Sequence, residues 1–241
     1  MYPVRQEAAA ERASTERVIA PYQPLPRGRH GLPRETVTES QRTRIIDAMV
    51  SAVAERGYGE TRVVDVVERA GVSRATFYDL FDDLEDCFLA TYDHVSGRLL
   101  NTATGAFNAR PDAPWPARVR AAAAAVLNIL ARWPEGARFA VVEVLAAGPN
   151  ALVRRDAVLR RFAEFVDAGR DQSASDVPGM TPVAIVGGIQ EVLYSEVIHG
   201  ATAQLPARLP DIVYWIVQPF LGPEAAAAER ERARQTVEAS I

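Results

Sequence analysis

Residues 73–78, Ser-Arg-Ala-Thr-Phe-Tyr, place three hydroxyls, one guanidinium and two aromatic rings within six positions. On a helix, Arg74, Ala75, Tyr78 and Asp79 share one face. Phe77, Leu80, Phe81 and Leu84 recur at three-to-four spacing on the other, which suits a core. An arginine fork can hydrogen-bond a guanine edge, and nearby hydroxyls can reach phosphate oxygens. A first turn carrying Arg74 and Thr76, backed by the hydroxyl of Tyr78, therefore suits a helix that enters a major groove. The competing reading is an ordinary helical hairpin with a good cap.

The preceding Ala70-Gly71-Val72-Ser73 has the composition of a helix-turn-helix elbow. Ala70 is small where two helices cross, Gly71 can take positive φ, and Val72 can enter a small core. Ser73 can accept from the amides of the next turn as N-cap, at a helix end suited to phosphate. Upstream, Ile45, Ile46, Met49, Val50 and Val53 predict a first helix ended by Gly57. Thr61 can cap a second helix containing Val63, Val64, Val66 and Val67, and a fourth starts near Asp83 or Leu84.

The remainder also reads as helix. Segments 115–134, 135–148 and 151–171 are separated by prolines and glycines, and 172–182 is a loop. Two very apolar helices follow at about 182–200 and 210–221, then a charged tail expected to be a solvated helix. No alternating strand pattern or internal repeat is present. The expected class is all-α: a flexible N-terminal arm (1–36), a three-helix helix-turn-helix unit (37–84) and a larger helical body (85–241).

Composition narrows the function further. The net charge is −4 over 241 residues, so binding nucleic acid by overall charge is excluded and any such site must be a local patch. All 27 basic residues are arginine, each a planar fork suited to phosphate and guanine. His30, His94 and His199 are far apart and form no metal-spaced pair or triad with Cys87. Gly187-Gly188 lies inside an apolar helix without the context of a phosphate loop. The expectation is a non-enzyme with no cofactor and no metal. Cys87 permits no intrachain disulfide and suits a small buried residue, with a redox sensor as the alternative. No apolar run reaches membrane-spanning length and no signal-like stretch opens the chain, so a cytoplasmic, non-membrane protein is expected.

Residues 40–93 resemble the DNA-binding unit of TetR/AcrR-type transcriptional regulators, through "ERGY" at a helix end, "AGVS-R-x-T-F-Y-x-x-F" and an acidic start to the fourth helix. The resemblance implies that Thr61 touches phosphate, that Ser73, Thr76 and Tyr78 hold the backbone of double-stranded operator DNA, and that Arg74 and Ala75 lie nearest the bases. Leu80 and Leu84 depart from the polar residues often found there, and Asp79, Asp82 and Asp83 surround them. Arg27 and Arg29, within Pro26-Arg27-Gly28-Arg29, resemble the core of an AT-hook and are candidate minor-groove contacts, or part of a solvated linker.

The resemblance also implies that 37–84 is a DNA-binding domain and 85–241 an effector-binding and dimerisation domain, with a homodimer and a small, often apolar, effector. The apolar helices near the end supply Ile185, Gly188, Ile189, Val192, Ile212, Trp215 and Ile216 as dimer-interface candidates. Asn128, Glu143, Gln190 and Tyr194 are polar groups on apolar helices and candidate effector contacts, or else exposed faces and routine helix bonds. The implied function is a one-component regulator, a repressor released from its operator by the effector. The alternative is an all-α dimeric ligand-binding or interaction protein with a degenerate DNA-binding domain.

Overall fold

A computed structural model describes residues 34–173 and 176–239. Among them there are nine α-helices and no strand, so the chain is all-α. It divides into two compact units, Met1–His94 and Val95–Ile241.

The first unit holds α1 (Arg34–Arg56), a 3₁₀ turn (Tyr58–Glu60), α2 (Val63–Ala70), α3 (Arg74–Tyr78) and the start of α4 (Leu84–Asn108). Here α1 begins at Arg34, and the division between the two units falls within α4. The expected stripe is the core: Ile45, Met49, Val53, Val66, Phe77 and Phe88 have no exposed surface. Burying each such side chain contributes about 1.5–3 kcal/mol, so this small core carries the unit. Gly57, at φ 79°, ends α1, and its amide bonds the Val53 carbonyl at 2.8 Å. A residue with a Cβ resists that left-handed conformation.

In the second unit, α5 (Trp115–Arg132), α6 (Pro134–Val141), α7 (Pro149–Asp167), α8 (Thr181–Ile198) and α9 (Leu209–Glu238) each carry proline in the first two positions. An N–H missing there costs the helix nothing. A 3₁₀ turn (Glu143–Leu145) follows α6, and another (Thr202–Arg208) precedes α9. Trp115 anchors the core. Its indole N–H donates to the Phe165 carbonyl at 2.9 Å, and its ring meets Phe220 edge-on at 5.1 Å.

The charged tail differs from expectation. It belongs to α9, but Gly222 has φ 80° and ψ 173° and breaks the helix. A straight helix would hold Asp211 and Arg230 roughly 28 Å apart at 1.5 Å per residue, yet they form a 2.6 Å ion pair. The chain therefore folds back after Leu221. Ala226, Glu229 and Ala233 are buried rather than solvated. Glu229 pairs with Arg120 of α5 at 2.6 Å and with Arg232, so its charge is neutralised where water is excluded.

Candidate nucleic-acid interface

The elbow forms from local chemistry. Gly71 ends α2 in the left-handed region, at φ 62° and ψ 41°. Ser73 then caps α3: its Oγ accepts from the Thr76 amide at 3.0 Å and lies 2.9 Å from the Thr76 hydroxyl. Such a cap contributes about 1 kcal/mol, a large share for a five-residue helix that would not form alone. Phe77 and Phe81 are buried, whereas Ser73, Arg74, Ala75 and Asp79 are exposed. Tyr78 is 56% exposed, its ring set edge-on to Phe77 at 5.4 Å. Serine, arginine, alanine and tyrosine thus share one open surface, with Thr76 half-buried beneath it. Leu80 and Leu84 are half-buried.

Thr61 does not occupy the position assigned to it. It is 4% exposed, and its hydroxyl donates to the Gly57 carbonyl at 2.8 Å. The N-cap of α2 is the next residue, Arg62, whose backbone N–H donates to the Asp65 carboxylate at 2.9 Å. The open polar side chain at the start of α2 is therefore the Arg62 guanidinium.

The acids after α3 have a local role. Asp83 Oδ1 accepts from the Asp86 amide at 2.8 Å, and Asp86 Oδ2 accepts from the Asp82 amide at 3.2 Å. These carboxylates satisfy free donors at the start of α4 and favour its positive end.

Arginines in this unit are mostly committed. Arg44 donates Nε to the Ala70 carbonyl at 2.9 Å and Nη2 to the Gly71 carbonyl at 2.6 Å. Arg42 stands over the Phe81 ring at 4.6 Å and points Nη1 at the Leu80 carbonyl, 3.5 Å away. Arg56 pairs with Asp65 at 3.4 Å, and Arg69 pairs with Glu55. Among the described residues from 35 to 94, Arg62 and Arg74 are the arginines with neither an acid nor a carbonyl partner for the guanidinium. The partners of Arg42 and Arg44 lie 26 to 38 residues away in sequence, beyond the reach of any local pattern. Arg62 directly follows Thr61, and only its exposure separates the two. Arg27 and Arg29 lie outside the described residues.

Cys87 is fully buried. Burial pushes its thiol up to about 12, against a weaker downward pull from the Thr91 hydroxyl. A redox-sensor reading needs the opposite shift. Among the described residues, no group of three or more His, Cys, Asp or Glu could hold a metal, and no single helix is long and apolar enough to cross a membrane.

In the second unit, Asn128, Gln190 and Tyr194 are half-buried. Glu143 is buried, with its carboxylate 2.9 Å from Arg138, which offers it a structural role. Along α8, Pro182, Val186, Leu193 and Val197 face the unit's own core, and Gly187, Gly188 and Ile198 face away. Ile185, Ile189 and Val192 lie half-buried on one flank, and Gln190 and Tyr194 on the other. Ile212 and Ile216 depart from the interface expectation. They are 3% and 4% exposed and fill the chain's own core with Leu209, Val213 and Phe220, whereas Trp215 is 45% exposed.

The model for bacterial regulatory proteins of the tetR family matches residues 45–91, the helix-turn-helix and the start of α4. The fatty acid metabolism regulator protein of Bacillus subtilis (strain 168) is 34% identical over 56 residues, which are 23% of this chain and 29% of that protein. The chain thus matches less than a third of that relative's length. Among solved structures, the fatty acid degradation regulator FadR from Bacillus halodurans superposes with a TM-score of 0.66 at 20% identity, over 73% of this chain and 94% of that one. The transcriptional regulator FadR from Bacillus subtilis, in complex with stearoyl-CoA, gives 0.64 at 19% identity, over 73% and 98%. A TetR family transcription regulator from Marinobacter aquaeolei VT8 gives 0.62 at 21%, over 77% and 98%. At these identities the structures establish the fold. The family's signature thus lies on residues 45–91, the elbow and the helix that follows it, and the fold shared with these regulators extends over most of the chain.

Proposed function

We propose that the chain is a one-component transcriptional repressor that binds operator DNA as a homodimer and leaves it on binding a small apolar effector. The observation that carries this reading is the open surface of Ser73, Arg74, Ala75 and Tyr78, held over a core of Phe77 and Phe81 after the left-handed Gly71. Arg74 is the base-reading fork in this proposal, and Arg62 replaces Thr61 as the phosphate contact at the start of α2. Arg27 and Arg29 supply minor-groove contacts ahead of α1. Substituting both with alanine should make the slope of log affinity against log salt shallower by roughly one unit per lost contact.

The homodimer seam proposed here is the α8 face containing Gly188, Ile185, Ile189 and Val192, with Trp215 of α9. This face and the indole are apolar surface that a second copy would cover. Half-sites read by two copies must lie about 34–36 Å apart, one helical turn. An effector that binds better to a state with another spacing shifts the population off DNA. Asn128, Gln190 and Tyr194 are the proposed effector contacts. Long-chain acyl-CoA thioesters are the first compounds to try, given the stearoyl-CoA held by the FadR structure from Bacillus subtilis.

One observation favours the alternative of a ligand-binding protein with a degenerate reader. Residues 34–94 carry seven arginines and thirteen acids. Selection of duplexes from a random pool by the purified protein, followed by gel shift at several salt concentrations with and without stearoyl-CoA, decides between the two. A repressor enriches a two-fold symmetric site and releases it with an active ligand, whereas a degenerate reader enriches nothing. Sedimentation at micromolar concentration tests the dimer, and a monomer there removes it.

A further inference from the structure

We propose that Arg44 is a positioning residue for DNA recognition: its guanidinium fork holds the elbow carbonyls and thereby sets the angle at which α3 presents Arg74. This rests on the DNA-reading function proposed above. Arg44 touches neither the reading surface nor, in this reading, the DNA.

The argument begins with what α3 lacks. It has five residues, and its single fully buried side chain is Phe77. One ring and one serine cap leave a short helix free to pivot, because neither fixes rotation about the elbow. The elbow itself turns on Gly71, whose backbone is the least restricted of any residue. The missing constraint comes from α1. Arg44 Nε meets the Ala70 carbonyl at 2.9 Å, and Nη2 meets the Gly71 carbonyl at 2.6 Å. These are the carbonyls of the last residue of α2 and of its C-cap, at the negative end of the helix dipole, where carbonyls have no partner within the helix. A planar fork can engage two adjacent carbonyls at once, which a lysine ammonium on one flexible stem does less well.

Gly71 fits this arrangement in a second respect. A Cβ built there would lie 3.1 Å from Arg44 Nη2, so the glycine both supplies φ 62° and leaves room for the fork. At the other end of the reading segment, Arg42 lies over Phe81 and beside the Leu80 carbonyl. Two arginines, two residues apart on α1, thus hold the entry and the exit of the reading segment. These guanidinium groups are used for geometry where, among the described residues from 35 to 94, Arg62 and Arg74 are the arginines without an acid or carbonyl partner.

The test uses full-length protein and duplexes selected from a random pool by the wild type, with a scrambled duplex of equal length. Arg44→Met should weaken binding to the selected duplex about tenfold, the size of one displaced base contact. Its affinity for the scrambled duplex and its salt slope should stay at wild-type values, because no phosphate contact is lost. Amide exchange at Gly71 and Val72 should quicken, and Arg44→Lys should recover part of the loss. An unchanged preference for the selected duplex overturns the proposal. So does a salt slope shallower by about one unit, which makes Arg44 a phosphate contact instead. Should Arg44→Met fail to fold, Arg44→Lys is read by the same measurements: reduced preference supports the proposal and unchanged preference overturns it. A wild type that enriches no duplex removes the DNA-reading function and this role with it. A wild type that enriches a site equally well read by the variant removes only the role of Arg44.

Discussion

Between Arg42 and Arg74, two arginines end on backbone carbonyls, two on acids (exposed Glu55 and half-buried Asp65) and two at the surface. Between Arg120 and Arg232, in the second unit, several end on buried or half-buried carboxylates. The charge follows the same division: residues 95–241 carry fifteen arginines and fifteen acids, whereas residues 34–94 carry thirteen acids against seven arginines. In the second unit the guanidinium stabilises a carboxylate that would otherwise be stranded away from water. In the first, Arg42 and Arg44 fix backbone geometry, so losing either should alter shape more than stability. Stability in one unit and orientation in the other therefore depend on the same side chain.

The largest effect expected from this contrast lies at Glu229. Glu229→Ala leaves Arg120 without its partner and should cost about 3 kcal/mol, a fall in thermal midpoint of about 6–12 °C for a chain of this size. Arg120→Met combined with Glu229→Leu should recover most of that loss in a thermal melt. A single variant as stable as the wild type would mean that the pair is effectively solvated. Arg74→Ala should cost about 1–3 kcal/mol of operator affinity. Its melting curve should match the wild type, and unchanged sequence preference in a gel shift would remove Arg74 from the bases.

Gly71→Ala forces a Cβ into the left-handed region and towards Arg44, and should destabilise the first unit by about 1–2 kcal/mol. The same variant should weaken operator binding beyond its loss of stability, which parallel denaturant and gel-shift titrations would separate. The smallest effect at neutral pH concerns Cys87. Its folded thiol is raised from 9.0 to about 12, so the stability it contributes is complete below pH 9 and is lost as pH climbs towards 12. Tyr58, also raised from 10.0 mainly by burial, acts in the same direction at alkaline pH. Native protein at pH 8 should resist thiol labelling until denaturant is added. Rapid native labelling would show that the α4 core opens more readily than its packing suggests.

Local signals in the sequence determined the all-α class, the elbow at Gly71, the Ser73 cap and the division of α3 into Phe77 and Phe81 against Arg74 and Tyr78. Each depends on neighbours within four or five residues, where helical periodicity and backbone preference act directly. Tertiary structure decided the rest. Arg62 rather than Thr61 is the open group at the start of α2, because Thr61 is drawn inward to the Gly57 carbonyl. Ile212 and Ile216 are apolar in the same way as Trp215, and only the packing of α9 determines which of them face outward. The tail has the charge of a solvated helix, but the chain reverses at Gly222 and brings Glu229 against Arg120, 109 residues away in sequence. Charge and hydropathy describe a side chain's cost in water. Its partner is set by which distant element the fold brings beside it, and no short window of sequence contains that information.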